Sequence, residues 1–193
     1  MSDLKPFVLD FDLLTGHCDS GKVQPSCRRV SNLLTQFADE EAAKKLIAEG
    51  DPLLYEFYEL ELPEEPGVLR FGSTRLYPGK VGNEYFMTKG HFHTILDTSE
   101  IYYTLSGHGM MMMMETPEGD VDCKEMNPGD ALYVPGRWAH RSINIGTEPL
   151  ILFFVFRADA GHDYGTIEKK GFRKLVVEQD GKPVIVPNPK WEK

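Results

Sequence analysis

The chain has 193 residues, 41% of them hydrophobic and 26% charged, with a formal net charge of −9 and a sequence pI near 5.2. That length suits a domain with a sizeable core, and the acidic balance argues against nucleic acid or an anionic membrane as partner, since no basic field exists to attract phosphate polymers. No run of 18 apolar residues and no signal-peptide pattern at Met1-Ser2-Asp3-Leu4-Lys5-Pro6 is present, so a cytoplasmic location is expected, and the three cysteines, Cys18, Cys27 and Cys123, are read as free thiols in a reducing compartment.

In chain order, residues 1–52 form an N-terminal extension. Residues 1–35 are mixed and rich in turn formers, and 39–49 reads as a short helix, acidic at its start and stopped by Gly50-Asp51-Pro52. From Leu53 the pattern changes to short apolar or aromatic runs. Proline- and glycine-containing turns separate them, at 63–67, 78–80, 116–120, 127–130 and 146–149. Strands are predicted at 53–61, 69–76, 85–88, 100–106, 110–115, 121–126, 131–134, 140–144, 150–156, 174–178 and 183–186. Punctuated short strands of this kind indicate an antiparallel sandwich or barrel. No repeat or linker divides it, so 1–193 reads as one domain with its barrel core at 53–193.

The five methionines Met110 to Met114 offer thioethers, which favour soft metals. On a strand, alternate sulfurs face opposite sides and cannot converge on one ion. They are read as adaptable core filler.

The chemistry concentrates in His91-Phe92-His93, Glu100 and His140. His91 and His93 are two apart, so on a strand both leave the same face. Glu100 can return to that face after a turn through Leu96-Asp97-Thr98-Ser99, followed two places on by Tyr102. Three imidazole nitrogens and a carboxylate oxygen suit a divalent first-row transition metal. His17 and His108 sit beside glycines in turns and read as solvated.

His91-x-His93, Glu100 and Gly107 resemble the first cupin motif, and Gly129, Pro135, His140 and Asn144 the second, with Arg137 where a glycine is usual. The blocks Tyr77-Pro78-Gly79-Lys80-Val81-Gly82, Thr88-Lys89-Gly90-His91-Phe92-His93, Trp138-Ala139-His140-Arg141 and Ala158-Asp159-Ala160-Gly161-His162-Asp163-Tyr164-Gly165-Thr166-Ile167 narrow this. So do Asp51-Pro52 with Tyr55-Glu56, and the closing Asn188-Pro189-x-Trp191. Together they resemble the cupin-type phosphoglucose isomerase family nearly end to end.

The resemblance implies an all-β cupin jelly-roll barrel with a short N-terminal helix and extra N-terminal strands. It further implies a metal-dependent homodimer interconverting glucose 6-phosphate and fructose 6-phosphate in glycolysis and gluconeogenesis. His91, His93, Glu100 and His140 would hold the ion, Fe(II) by family habit, while Mn(II), Ni(II), Co(II) or Zn(II) suit the same donors. Glu100, Tyr102 and His162 would serve catalysis. Thr74, Thr88 and Gly90 would surround the phosphate, and Tyr55 and Tyr164 would line the sugar site. Phe156-Arg157 replaces the family's Tyr-Pro, removing a phenol. Arg137 and Arg157 either supply a guanidinium in its place or are solvated surface residues. The competing readings are a non-catalytic sugar-phosphate-binding cupin and another metal-dependent cupin enzyme, such as a dioxygenase.

Overall fold

Period-two burial organises the chain wherever one face of a strand meets the interior. The computed structural model describes residues 4–18, 23–116 and 119–191, without the Thr166 side chain. Met1, Ser2 and Asp3, and Pro117 and Glu118 of the turn expected at 116–120, lie outside the described residues.

The strands are β1 (Ser26–Arg29), β2 (Leu53–Glu59), β3 (Leu69–Leu76), β4 (Lys80–Val81), β5 (Glu84–Tyr85), β6 (Glu100–Ser106), β7 (Gly109–Met114), β8 (Val121–Met126), β9 (Ala131–Val134), β10 (Ala139–Asn144), β11 (Leu150–Arg157), β12 (Lys174–Gln179) and β13 (Lys182–Pro187). They form a six-stranded sheet ordered β1-β2-β3-β11-β6-β9, a three-stranded sheet β10-β7-β8 and a four-stranded sheet β13-β12-β5-β4. All named pairings are antiparallel. The first two sheets face each other across the core, the jelly-roll layout expected. Helix α1 (Glu40–Ala48) starts as read, with Asp39 accepting the Ala42 N–H at 2.9 Å. Among the described residues no helix is long and apolar enough to cross a membrane.

Three local differences separate the structure from these expectations. The extension supplies one strand among the described residues, β1, where several were expected, and a 3-10 turn at Val30–Gln36 leads from it. The strand predicted at 85–88 ends at Tyr85, because the following residues join β10 through the single bridges Met87–Ile143 and His91–His140 instead of a ladder. Helix α2 (Gly165–Lys170) was not expected, being too short to show a 3.6-residue period.

The methionine run forms β7, with Met111 through Met114 buried. Met111 and Met113 stand opposite Ser142 and His140, while Met112 stands opposite Arg141. They therefore fill both faces of the small sheet, as a packing role requires. The three cysteines are unpaired.

Candidate metal centre and cavity

Register sets the inner wall of the large sheet, because directly opposed residues share a face. Val134, Glu100, Phe156 and Arg70 make one rung, and Leu132, Tyr102, Phe154, Gly72 and Glu59 the next. Thr104, Leu152, Thr74 and Phe57 follow, with Leu76 and Tyr55 beyond. Glu100 therefore lies at one end of the wall and Tyr55 at the other. Across from it, His140 and Ser142 stand on β10, and the segment 86–93 runs antiparallel to that strand through His140 N–H to His91 O (3.2 Å) and Thr88 N–H to Ser142 O (2.9 Å).

A reciprocal backbone pair brings in a third segment: Phe92 N–H donates to Asp163 O at 3.0 Å, and Asp163 N–H to Phe92 O at 2.7 Å. Residues flanking this bridge face one side together. The His162 ring thus stands 4.3 Å from that of His91, and the Tyr164 ring 5.7 Å from it.

At the Glu100 end, ligand atoms of His91, His93, Glu100 and His140 all lie within 4.8 Å of one another. Glu100 Oε2 is 3.1 Å from His93 Nε2 and 3.0 Å from His140 Nε2. His93 Nδ1 lies 2.7 Å from the Thr98 hydroxyl and 3.1 Å from the Thr98 carbonyl. That hydroxyl donates to Ile95 O at 2.7 Å, so it accepts from Nδ1–H. The ring is thereby oriented with its Nε2 lone pair toward the cluster. Among the described residues the buried Nε2 atoms of His91 and His140 make no well-aligned hydrogen bond, although His140 Nε2 lies close to Glu100 Oε2.

Three imidazoles turned toward one buried carboxylate need positive charge at their centre. A single shared proton would leave two nitrogens unserved, whereas one cation would serve all four side chains. The donor set therefore fits a divalent metal. Burial works to raise the Glu100 carboxyl, but His140 beside it, with His93, outweighs this and holds it well below the usual carboxylate range. Burial keeps the His91 imidazole neutral, well below its ordinary value.

These elements line a cavity that opens to solvent. Tyr55, Thr74, Thr88, Gly90, His91, Glu100, Tyr102, His140, His162 and Tyr164 all line it. His93 stands behind them, its ring 6.3 Å from that of Phe156. Gly90 adopts φ +73°, with the Phe172 ring, the His140 carbonyl and Arg141 crowding the position a Cβ would take. Burial holds His162 down at about 4 and pushes Tyr164 up to about 12 and Tyr102 well above its ordinary value. The imidazole is neutral and the phenols stay protonated near neutral pH.

Lys89, Ser142, Phe57, Phe154 and Glu59 also line the cavity without having been singled out. Ser142 follows His140 by two on one strand, and Phe57 and Glu59 follow Tyr55 by two and four, so alternation alone would have reached them. Lys89 precedes His91 by two and carries the same signal. It is the one Lys or Arg among the lining residues, its Nζ 4.2 Å over the Tyr164 ring and paired with Glu168. Arg137 and Arg157 do not line the cavity. They pair at the surface with Asp97 at 2.6 Å and Asp159 at 2.6 Å, so the solvated reading holds for both.

A family model described as Glucose-6-phosphate isomerase (GPI) matches residues 27–190. The chain is 52% identical over 187 residues to the glucose-6-phosphate isomerase of Thermococcus litoralis, covering 97% of each chain. It is 49% identical over 189 residues to that of Pyrococcus furiosus, covering 98% of each. The counterpart from Sinorhizobium medicae is 39% identical over 194 residues, covering 98% of this chain and 89% of its own. A solved oxalate oxidase is a more distant likeness, covering 61% of this chain and 58% of its own at 15% identity and a TM-score of 0.49.

Proposed function

The chain belongs to the glucose-6-phosphate isomerase family, and we propose that it interconverts glucose 6-phosphate and fructose 6-phosphate in the cavity between the two facing sheets, with C1 and C2 at His91, His93, Glu100 and His140 and the phosphate toward Thr74, Thr88 and Gly90. One observation carries this reading. Three imidazoles and a carboxylate converge within 4.8 Å at one end of a cavity whose far wall offers threonine hydroxyls, the turn of Gly90 and the ammonium of Lys89. Hydroxyls, backbone N–H groups and a cation are the donors a phosphate monoester needs.

A divalent ion held by these four side chains, Fe(II) with Mn(II), Ni(II), Co(II) or Zn(II) as alternatives, supplies when bound a Lewis acid that stabilises negative charge on the sugar oxygens. The remaining work falls to the chain. Glu100 stays ionised, with Oε2 turned to the imidazoles, and its other oxygen is the candidate base for the hydrogen exchanged between C1 and C2. The Tyr102 phenol, held protonated, donates to a sugar oxygen. Neutral His162 accepts or returns a hydroxyl proton. The Tyr55 hydroxyl accepts the Lys89 N–H at 3.4 Å, and the Tyr164 ring lies under the Lys89 ammonium, so both steady the phosphate end.

We also propose a homodimer. On the outer face of the six-stranded sheet, Ile101, Tyr103 and Tyr133 are 48%, 42% and 61% exposed, with Ile101 opposite Tyr133, an apolar patch suited to a second copy. The reading also carries the cytoplasmic location and the step in glycolysis and gluconeogenesis.

The test is fructose 6-phosphate turnover by chelator-stripped protein, with Fe(II) or Mn(II) returned anaerobically. Activity is expected to vanish on stripping and return with metal, while His140→Ala protein stays folded and regains none. Turnover indifferent to the chelator, or an unchanged metal dependence in His140→Ala, refutes the assignment.

A further inference from the structure

Glu59 is a second carboxylate in the cavity, and the reaction as read above gives it no part. It ends the inward row Tyr55, Phe57, Glu59 of β2. Its rung, shared with Gly72, Phe154 and Tyr102, falls between that of Glu100 and that of Thr74. Neighbouring rungs are about 7 Å apart along the strands. A hexose phosphate placed with C1 and C2 at Glu100 and its phosphate toward Thr74 carries its middle carbons at the level of this rung, which Glu59 closes on β2, the strand beside that of Thr74.

The carboxylate is held from outside the cavity. Arg70 donates to its Oε1 at 3.3 Å, and the same guanidinium is fixed by the Leu62 carbonyl at 2.9 Å and by Glu64 at 3.1 Å. Among the described residues no donor reaches Oε2. The Arg70 and Glu59 side chains are only 16% and 19% exposed. Glu59 Oε2 keeps contact with solvent in the cavity, and a sugar hydroxyl entering there takes the place of water as its donor.

We propose that Glu59 is a specificity-determining residue that accepts hydrogen bonds from the C3 and C4 hydroxyls of the hexose phosphate, with Arg70 as its positioning partner. This rests on the substrate placement given above. An ionised carboxylate only accepts, so it reads whether a hydroxyl is present and where it points. A site built to bond a hydroxyl rejects the analogue that lacks it.

The experiment compares kcat/KM of wild type, Glu59→Gln and Glu59→Ala on glucose 6-phosphate and on its 3-deoxy and 4-deoxy analogues. Wild type is expected to lose roughly 10- to 100-fold on at least one analogue, the effect of a charge-assisted hydrogen bond, and Glu59→Ala less than about 3-fold on the same one. Each ratio is taken on one preparation, so partial unfolding cancels, and Glu59→Gln keeps a partner for Arg70 should the alanine variant fold poorly. Equal penalties in wild type and variants overturn the assignment, as does a wild type indifferent to both deletions. Loss of all turnover in both variants also overturns it, because a group reading mid-chain hydroxyls leaves the chemistry at C1 and C2 in place. Chelator sensitivity of the wild type, measured alongside, reports on the substrate placement separately.

Discussion

Replacing Gly90 by alanine tests the close approach on which the cavity floor depends. At φ +73° an alanine enters the left-handed region, at a cost of about 1–2 kcal/mol. Its Cβ would stand 2.7 Å from the Phe172 ring, 2.9 Å from the His140 carbonyl oxygen and 3.0 Å from Arg141 Cβ, and relieving such overpacking costs about 1–3 kcal/mol. Reduced freedom of the unfolded chain returns about 0.4–1 kcal/mol. The net loss is about 1–5 kcal/mol, or about 2–18 °C in Tm for a chain of this size. The second consequence is chemical. The His140 carbonyl accepts from His91 N–H at 3.4 Å, and His140 N–H donates back at 3.2 Å, so pushing on that carbonyl shifts two of the four cluster side chains. Urea unfolding of chelator-treated protein and calorimetric Mn(II) titration are the assays. Unchanged stability together with unchanged Mn(II) affinity would refute the reasoning.

Thr98→Val removes the hydroxyl that accepts from His93 Nδ1–H and donates to Ile95 O; metal affinity is expected to fall about 10-fold, at the low end of such effects because the Thr98 carbonyl remains, and an unaltered titration would show that this hydroxyl does not orient the ring. Glu84 is buried, which pushes its carboxyl up to about 7 against the Ala38 N–H and the charges of Arg141 and Lys190. Because the folded value lies above the unfolded one, its stability contribution is complete below about pH 4.5 and is lost as pH rises through 7, on the order of 3 kcal/mol in all. Glu84→Gln is expected to flatten the fall in unfolding free energy between pH 5 and 7, measured by denaturant titration, and a slope equal to wild type would contradict the assignment.

What the sequence could disclose follows from how local each determinant is. Strands such as β6 were legible because burial alternates along them, Glu100, Tyr102 and Thr104 inward and Ile101 and Tyr103 outward, between turns of distinctive composition. Arg137 shows the limit of reading a motif residue by residue. It adopts φ +72°, so the position keeps the backbone conformation for which glycine is usual, while its guanidinium goes to Asp97 and leaves the cavity alone. The motif letter encoded a turn, and the side chain that replaced it had no bearing on the site.

The cluster itself was legible because a two-residue spacing within one segment aims two imidazoles together. The rest of the cavity needed contacts that no spacing expresses. His162 and Tyr164 reach His91 through backbone pairing of the two segments, centred on the bridge between Phe92 and Asp163, 71 positions apart, and without the family blocks nothing local would have joined them. Glu59 was passed over for a different reason. Its spacing from Tyr55 on the strand predicted at 53–61 places it on the inner face, a signal set aside for a charged residue, and the pairing of Glu59 with Gly72 of β3 bears that alternation out. Charge in a sequence reports composition, and burial reports register. When the two disagree, as at Glu59 and its partner Arg70, the fold has taken ionised groups out of water, and the ligand that meets them is where their function should be sought.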